Sequence, residues 1–167
     1  MPFSLLPKFI CREVTDVPPE FLKDRGLRVL LLDFDNTVIP YTTNIPTDAV
    51  VAWLTDIKNA DIQICVVSNS MKDRAKDFCR KYHIACITHA MKPFSRGYRE
   101  AMEQFGVTAS ECAMVGDQVF TDTLGANCCG ITSILVKSIH NHTFWLKLRH
   151  VAEMPFILLA SKRRITK

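Results

Sequence analysis

The hydrophobic residues of this chain are concentrated in five short runs that are separated by polar and amphipathic segments. The runs occupy residues 28–33, 62–67, 84–87, 112–115 and 131–136. A short, continuous apolar run is typical of a strand that is buried on both faces, as in a parallel sheet. The pattern therefore predicts five buried strands.

The segments between these runs predict helices. The apolar residues of TDAVVAWLTDIKNA recur at helical spacing after Thr47, which is suited to be the N-cap. A polar helix is predicted over MKDRAKDFCRKYH, and another over SRGYREAMEQF that ends at Gly106. Strands alternating with helices indicate an α/β, Rossmann-like doubly wound parallel sheet. We expect a single domain over residues 1–167, with a lead-in at 1–27 and a basic amphipathic segment at 141–167.

Polar residues follow the ends of four predicted strands. Right-handed crossovers bring the carboxyl ends of parallel strands to one edge of the sheet, where binding sites of such folds lie. Any one of these residues by itself also fits a turn, a helix cap or a solvated loop. The set comprises Asp33 and Asp35, Ser68 and Asn69, Lys92, and Asp117 and Asp122.

The chemistry of this set favours phosphoryl transfer. Asp33 and Asp35 place two like charges close together, which is unfavourable unless a cation joins them or one of them keeps a proton. Asp117 adds a third carboxylate, and oxygen ligands of this kind suit Mg²⁺. Lys92 adds a positive charge, and the hydroxyl of Ser68 with nearby N–H groups at a helix start is suited to hold phosphate oxygens. Positioning and charge neutralisation are what phosphoryl transfer requires.

Four motifs in order carry a family resemblance. They are D-x-D-x-T at Asp33–Thr37, a serine at Ser68, Lys-Pro at Lys92-Pro93, and GDQ-x-x-TD at Gly116–Asp122. This arrangement resembles the haloacid dehalogenase (HAD) superfamily of phosphatases. The segments LLDFDNT, VVSNS, MKP and VGDQVFTDTLGAN, with the lead-in, look like the YqeG-type branch of subfamily IIIA, which includes mitochondrial phosphatidylglycerophosphatases.

The resemblance implies a mechanism and a metal site. Asp33 would attack phosphorus and form an aspartyl phosphate, and Asp35 would act as general acid and then as general base. Mg²⁺ would be bound by the Asp33 carboxylate, the Asp35 main-chain carbonyl and Asp117.

The resemblance also implies how the phosphoryl group is held. Ser68 and Lys92 would bind its oxygens, and Asn69 would contribute a main-chain N–H. Thr37 would steady the loop through its hydroxyl, within the same phosphate-binding set. Asp122 would orient either Lys92 or water bound to the metal.

The spacing between motifs bears on the substrate. The intervals between the first three motifs leave room for one helix and one strand each, so we expect a capless enzyme whose open site suits a bulky phosphate ester. Phosphatidylglycerophosphate, a membrane phospholipid monoester, is the favoured substrate. The alternative is a soluble capless phosphatase that acts on a sugar phosphate or nucleotide and is roofed by a sister subunit. A non-catalytic phosphate-sensing protein is a third hypothesis, which the second aspartate disfavours.

The charge of the chain is uneven. Seven Lys and Arg from Lys137 onward face one acid, Glu153, so this end carries +6 and the preceding residues carry −2. Such asymmetry suggests an anionic partner surface, lipid or nucleic acid, or else a solvated face. With the family resemblance we expect an anionic membrane surface as partner and no nucleic acid; the alternative is that both terminal segments pack on the core.

The apolar stripe of the basic segment has helical spacing, with Pro155 expected to kink or restart the helix. Its members are Trp145, Leu148, Ala152, Phe156 and Leu159. No apolar stretch is long enough for a transmembrane helix. The cysteine pattern favours free thiols in a reducing compartment, so we expect a cytoplasmic protein, peripheral at the membrane if the basic segment contacts lipid. The oligomeric state is left open.

Overall fold

Among the residues that the structure describes, six parallel strands form one sheet. The computed structural model of the chain describes residues 3–71, 73–139 and 144–165, with only the backbone for residues 144–150. The five predicted runs all form strands, and the lead-in adds an edge strand that the sequence pattern did not indicate. The strands are β1 (Phe9–Ile10), β2 (Val29–Leu32), β3 (Gln63–Val67), β4 (Ala85–Ile87), β5 (Cys112–Gly116) and β6 (Thr132–Leu135). Their order in the sheet is β1-β6-β5-β2-β3-β4.

Helices connect the strands as the pattern predicts. Thr47 caps α2, since its hydroxyl oxygen accepts the N–H of Val50 at 3.3 Å. Gly106 ends α4 in the left-handed region, with φ 61°. A π-helical turn at Val119–Thr123 precedes α5. The helices are α1 (Pro19–Lys23), α2 (Asp48–Asn59), α3 (Arg74–Tyr82), α4 (Arg96–Phe105), α5 (Leu124–Cys129) and α6 (Phe144–Leu159).

The sheet has a hydrophobic core on each face. Alternate residues of a strand point to opposite faces, so Leu30 and Leu32 pack with the lead-in, α2 and α3. Val29 and Leu31 pack on the other side with α4 and α5. Burying each of these side chains stabilises the fold by about 1.5–3 kcal/mol. The doubly wound α/β class predicted from the sequence is confirmed.

Both terminal segments pack at the β1 edge. The N–H of Ile10 donates to the carbonyl of Arg163, and the N–H of Ile165 donates to the carbonyl of Ile10, both at 3.0 Å. The helix α6 runs without interruption through Pro155. Part of its apolar stripe is uncovered, because the side chain of Leu159 is 72% exposed.

Other members of the predicted stripe differ in their surroundings. Phe156 is half-buried, with its ring centroid 6.2 Å from that of Phe120. Ala152 is exposed. The side chains of Trp145 and Leu148 lie outside the described residues.

The carboxyl edge of the sheet carries no inserted lid in the described part of the chain. A loop and α2 connect β2 to β3, and α3 connects β3 to β4. Among the described residues, no helix combines the length and the apolar character that crossing a membrane requires.

Candidate active site

The register of β2 and β5 brings two of the predicted acids together. Leu32 pairs with Val115, and the N–H of Asp33 donates to the carbonyl of Val115 at 2.9 Å. Asp33 and Asp117 thus leave adjacent strands at the same edge. The strand order reverses between β2 and β5, and such a switch point opens a crevice at the carboxyl ends of the strands.

Lys92 is the buried centre of this cluster. Its Nζ lies 2.6 Å from Oδ1 of Asp33 and 2.8 Å from Oδ1 of Asp122. Asn69 fixes the main chain of the lysine: its Oδ1 accepts the Lys92 N–H at 2.7 Å and its Nδ2 donates to the Lys92 carbonyl at 3.0 Å. The side chain of Asn69 therefore positions Lys92, a role that the sequence did not reveal.

The charges of these groups are strongly coupled. Burial disfavours the ammonium of Lys92, but Asp122 and Asp33 outweigh that effect and raise its pKa above the ordinary value. Burial raises the pKa of the Asp122 carboxyl to about 6; Lys92 opposes this shift and the charge of Asp33 adds to it. One lysine thus only partly offsets the negative charge of the cluster.

Three buried carboxylates surround one point. Asp33, Asp117 and Asp122 each offer an oxygen, and the three oxygens lie within 4.8 Å of one another. The hydroxyl of Thr37 donates to Oδ2 of Asp33 at 3.1 Å and lies 3.5 Å from Oδ1 of Asp117. The three carboxylates and Lys92 together have a formal charge of −2. Hard oxygen donors with this excess charge fit Mg²⁺.

Asp122 is held from two sides. Its Oδ2 accepts the N–H of Gln118 at 3.1 Å while Oδ1 faces Lys92. Gly116 makes room for it, because a Cβ at that position would lie 2.3 Å from the Asp122 Cγ. The hydroxyl of buried Tyr98 lies 3.3 Å from the Asp122 carbonyl. Both carboxylate oxygens of Asp122 are thus engaged by the protein.

The carboxylate of Asp35 is paired with an arginine and not with Lys92. Its Oδ1 lies 2.5 Å from Nη1 of Arg74, the first residue of α3. The same guanidinium donates to the carbonyls of Pro40 and Thr43 and, at 2.6 Å, to Oδ1 of Asn44. Arg74 therefore ties the loop after β2 to α3 while it holds Asp35.

Ser68 lies buried where β3 ends. Its N–H donates to the carbonyl of Ile87 at 2.9 Å, which continues the pairing with β4. Its hydroxyl oxygen accepts the N–H of Ser70 at 3.1 Å. Because this bond uses a lone pair of the oxygen, the hydroxyl proton is still available for donation.

A haloacid dehalogenase-like hydrolase family model matches residues 7–130, which include every one of these groups. The chain belongs to this hydrolase family. The match confirms the resemblance and the enzyme class that the four motifs predict.

Curated relatives agree with this assignment. The chain is 30% identical over 131 residues to the "Probable phosphatase YqeG" of Bacillus subtilis, covering 78% of this chain and 76% of that protein. It is 26% identical over 168 residues to the chloroplastic and mitochondrial phosphatidylglycerophosphate phosphatase 1 of Arabidopsis thaliana. That match covers 95% of this chain but 45% of the plant protein.

Solved structures share the fold. A Listeria monocytogenes protein superposes with a TM-score of 0.58 at 16% identity, covering 71% of this chain and 84% of that one. The cobalt-bound deoxy-D-mannose-octulosonate 8-phosphate phosphatase of Haemophilus influenzae gives a TM-score of 0.55 at 16% identity, with 83% and 92% covered. At this identity the likeness concerns the fold alone.

One residue of this HAD-like hydrolase that sequence reasoning missed comes from α6. Glu153 is buried, and its Oε1 accepts the N–H groups of Val119 at 2.9 Å and Phe120 at 3.2 Å. It caps the turn that carries Asp122. The sequence offers one signal for Glu153, since it is the single acid of the basic segment. Arg74 is a second residue that the sequence analysis did not identify, and nothing in the helix pattern around it distinguishes it.

Proposed function

We propose that this HAD-like hydrolase cleaves phosphomonoesters through a covalent aspartyl phosphate on Asp33. The observation that carries the proposal is the buried Asp33 carboxylate, fixed by Lys92 at 2.6 Å and Thr37 at 3.1 Å beside two further acids. A carboxylate held in this way is an oriented nucleophile whose charge is locally balanced.

We propose Mg²⁺ as the cofactor. The carboxylates of Asp33 and Asp117 and the main-chain carbonyl of Asp35 would hold it, and the carboxylate of Asp122 lies beside them as a third acid of the cluster. When bound, the ion would neutralise charge between the nucleophile and the phosphoryl oxygens.

The residues of the chain then act in two steps. An oxygen of Asp33 bonds to phosphorus as the ester oxygen departs with a proton from Asp35. Water next attacks phosphorus, Asp35 accepts its proton, and Asp33 is released with inorganic phosphate. Ser68, Lys92 and the main-chain N–H of Asn69 would bind the phosphoryl oxygens.

We propose phosphatidylglycerophosphate as the substrate and an anionic membrane surface as the place of reaction. The activity in the name of the plant relative and the absence of a lid in the described residues support a bulky lipid ester. The exposed apolar side chains of Val151, Leu158 and Leu159 lie on α6, just before the basic residues Lys162 and Arg163. This combination suits a bilayer interface.

Phosphate release from phosphatidylglycerophosphate in mixed micelles tests the proposal. We expect activity with Mg²⁺ that is abolished by EDTA and by Asp33→Asn, with glucose 6-phosphate and AMP as competing substrates. Equal activity of the wild type and Asp33→Asn would contradict the role of Asp33. A preference for the sugar phosphate or the nucleotide would contradict the lipid substrate while leaving the mechanism intact.

A further inference from the structure

A cavity of about 740 Å³ lies beside the carboxylate cluster. It is formed at the carboxyl ends of β1 and β6, and residues of α6 form one wall. Asp117 lines it, so one side of the cavity is a member of the acidic cluster. The volume is within the range of small-molecule sites, about 300–1,000 Å³.

The lining has two chemical characters. Leu135, Val136 and Ile157 contribute apolar surface. Three exposed cations also line the cavity, namely Arg12, Lys137 and Arg164. The acids of the lining are Asp16 and Asp117. A ligand that matches this lining has an anionic group together with hydrocarbon.

Main-chain hydrogen bonds bring the three cations together from distant parts of the chain. The N–H of Lys137 donates to the carbonyl of Arg12 at 3.1 Å. Arg164 forms a bridge with Ile10 at the edge of the sheet. The three cations therefore meet where β1, the end of β6 and the C-terminal segment pair at the edge of the sheet.

The helix that forms one wall of the cavity, α6, also contacts the loop of the acidic cluster. Met154 and Ile157 of α6 line the cavity, and Glu153 of the same helix binds the N–H groups of Val119 and Phe120. Those residues directly follow the segment that carries Asp117. The cavity wall and the acidic cluster are thus parts of one connected arrangement.

We propose that this cavity binds the leaving group of the substrate, with Arg12, Lys137 and Arg164 contacting a second anionic group of a phosphodiester-containing alcohol. The inference rests on the phosphatase activity proposed above and identifies residues that determine its specificity. The apolar wall receives the hydrocarbon next to the phosphodiester. A phosphomonoester without a second charge reaches the same acidic cluster but gains nothing from these cations.

Kinetics with two substrates test the specificity. Lys137→Gln with Arg164→Gln should lower kcat/KM for water-soluble, short-chain phosphatidylglycerophosphate by about tenfold, since each lost cation–phosphate contact at an exposed site has a modest effect. The kcat/KM for p-nitrophenyl phosphate should stay within about twofold of wild type. Lys23→Gln, an exposed lysine at the end of α1, is the matched control and should change neither value.

Binding of the product gives a second readout that requires no turnover. Short-chain phosphatidylglycerol is titrated into Asp33→Asn protein whose methionine methyl groups are labelled with ¹³C. We expect the Met154 signal to shift at saturation, and the affinity to fall by about tenfold when Lys137→Gln and Arg164→Gln are added.

The outcomes separate the two proposals. If the wild-type protein releases no phosphate from either substrate while the Met154 titration is normal, the proposed reaction is refuted and the cavity assignment stands. Equal losses of kcat/KM on both substrates in the double variant, or saturation with phosphatidylglycerol without a Met154 shift, would overturn the cavity assignment. Selective loss on the phosphodiester-containing substrate together with the Met154 shift would support it.

Discussion

The cationic side chains of the two halves of the carboxyl edge differ in burial and in their partners. Beside β2 and β5, the ammonium of Lys92 is buried and lies within 2.8 Å of two carboxylates. Beside β6 and β1, Arg12, Lys137 and Arg164 are exposed around a cavity, and no ion pair joins them to another described residue. The buried ammonium fixes the geometry of the two acids that it contacts, whereas the exposed cations have no such fixed partners in the described part of the chain.

Under the proposed function, this difference separates the chemical step from recognition of the leaving group. Removing one partner of a buried ion pair leaves an uncompensated charge and lowers the free energy of unfolding by about 3–5 kcal/mol. Removing an exposed cation changes stability little, because solvent already screens it. We therefore expect variants of the first half to lose turnover and stability, and variants of the second half to lose affinity for a particular substrate.

The largest effect is expected from Lys92→Met. It leaves the carboxylates of Asp33 and Asp122 without their shared cation, so we expect kcat to fall by about 10³-fold. The free energy of unfolding should fall by about 3–5 kcal/mol. Turnover of p-nitrophenyl phosphate and urea unfolding measure the two effects. A variant with near-normal kcat would show that the buried cation is not part of the chemical step.

Glu153→Ala should break the connection between the halves. The two N–H groups that bind Glu153 would lose their acceptor in a buried place, which is expected to cost about 2–3 kcal/mol in urea unfolding. Glu153→Gln keeps an acceptor oxygen and should lose less. If both variants were as stable as wild type, the helix would not depend on this contact.

Arg74→Gln sharpens the comparison with a half-buried cation. The variant loses the 2.5 Å contact to Asp35 and the ties to the loop after β2. We expect kcat to fall by about tenfold and stability by about 1 kcal/mol, because the pair is partly exposed. A pH–rate profile is the decisive measurement. If Arg74 positions Asp35, one limb of the profile is displaced in the variant. An unchanged profile together with lower stability would contradict this role of Arg74.

The smallest effect is expected at the opposite, amino edge of the sheet. A hydrogen bond from the Thr108 N–H, and next the contact with Arg28, lower the pKa of the Glu111 carboxyl to about 2. A lowered folded-state pKa stabilises the fold above the unfolded value, about 4.5, and this contribution is lost as pH falls towards 2. Glu111→Gln should therefore melt slightly below wild type at pH 6 and equal it near pH 2. A difference that grows on acidification would contradict this sign.

Much of the fold could be predicted from the sequence because buried parallel strands are local features. Residues 28–33 and 112–115 are apolar without interruption, and a strand covered on both faces needs nothing else. The strand β1, two residues long in the lead-in, is too short to produce such a run. It forms because β6 offers a partner edge.

The clustering of the candidate site residues could likewise be predicted from the sequence, since each follows a strand end and parallel strands end at one edge. Their contacts were decided only by the tertiary structure. Local patterns do not reveal that Asn69 holds the main chain of Lys92, that Arg74 binds Asp35, or that Glu153 caps the turn before α5. These interactions join residues 23 to 39 positions apart, and packing alone brings such residues within hydrogen-bond distance.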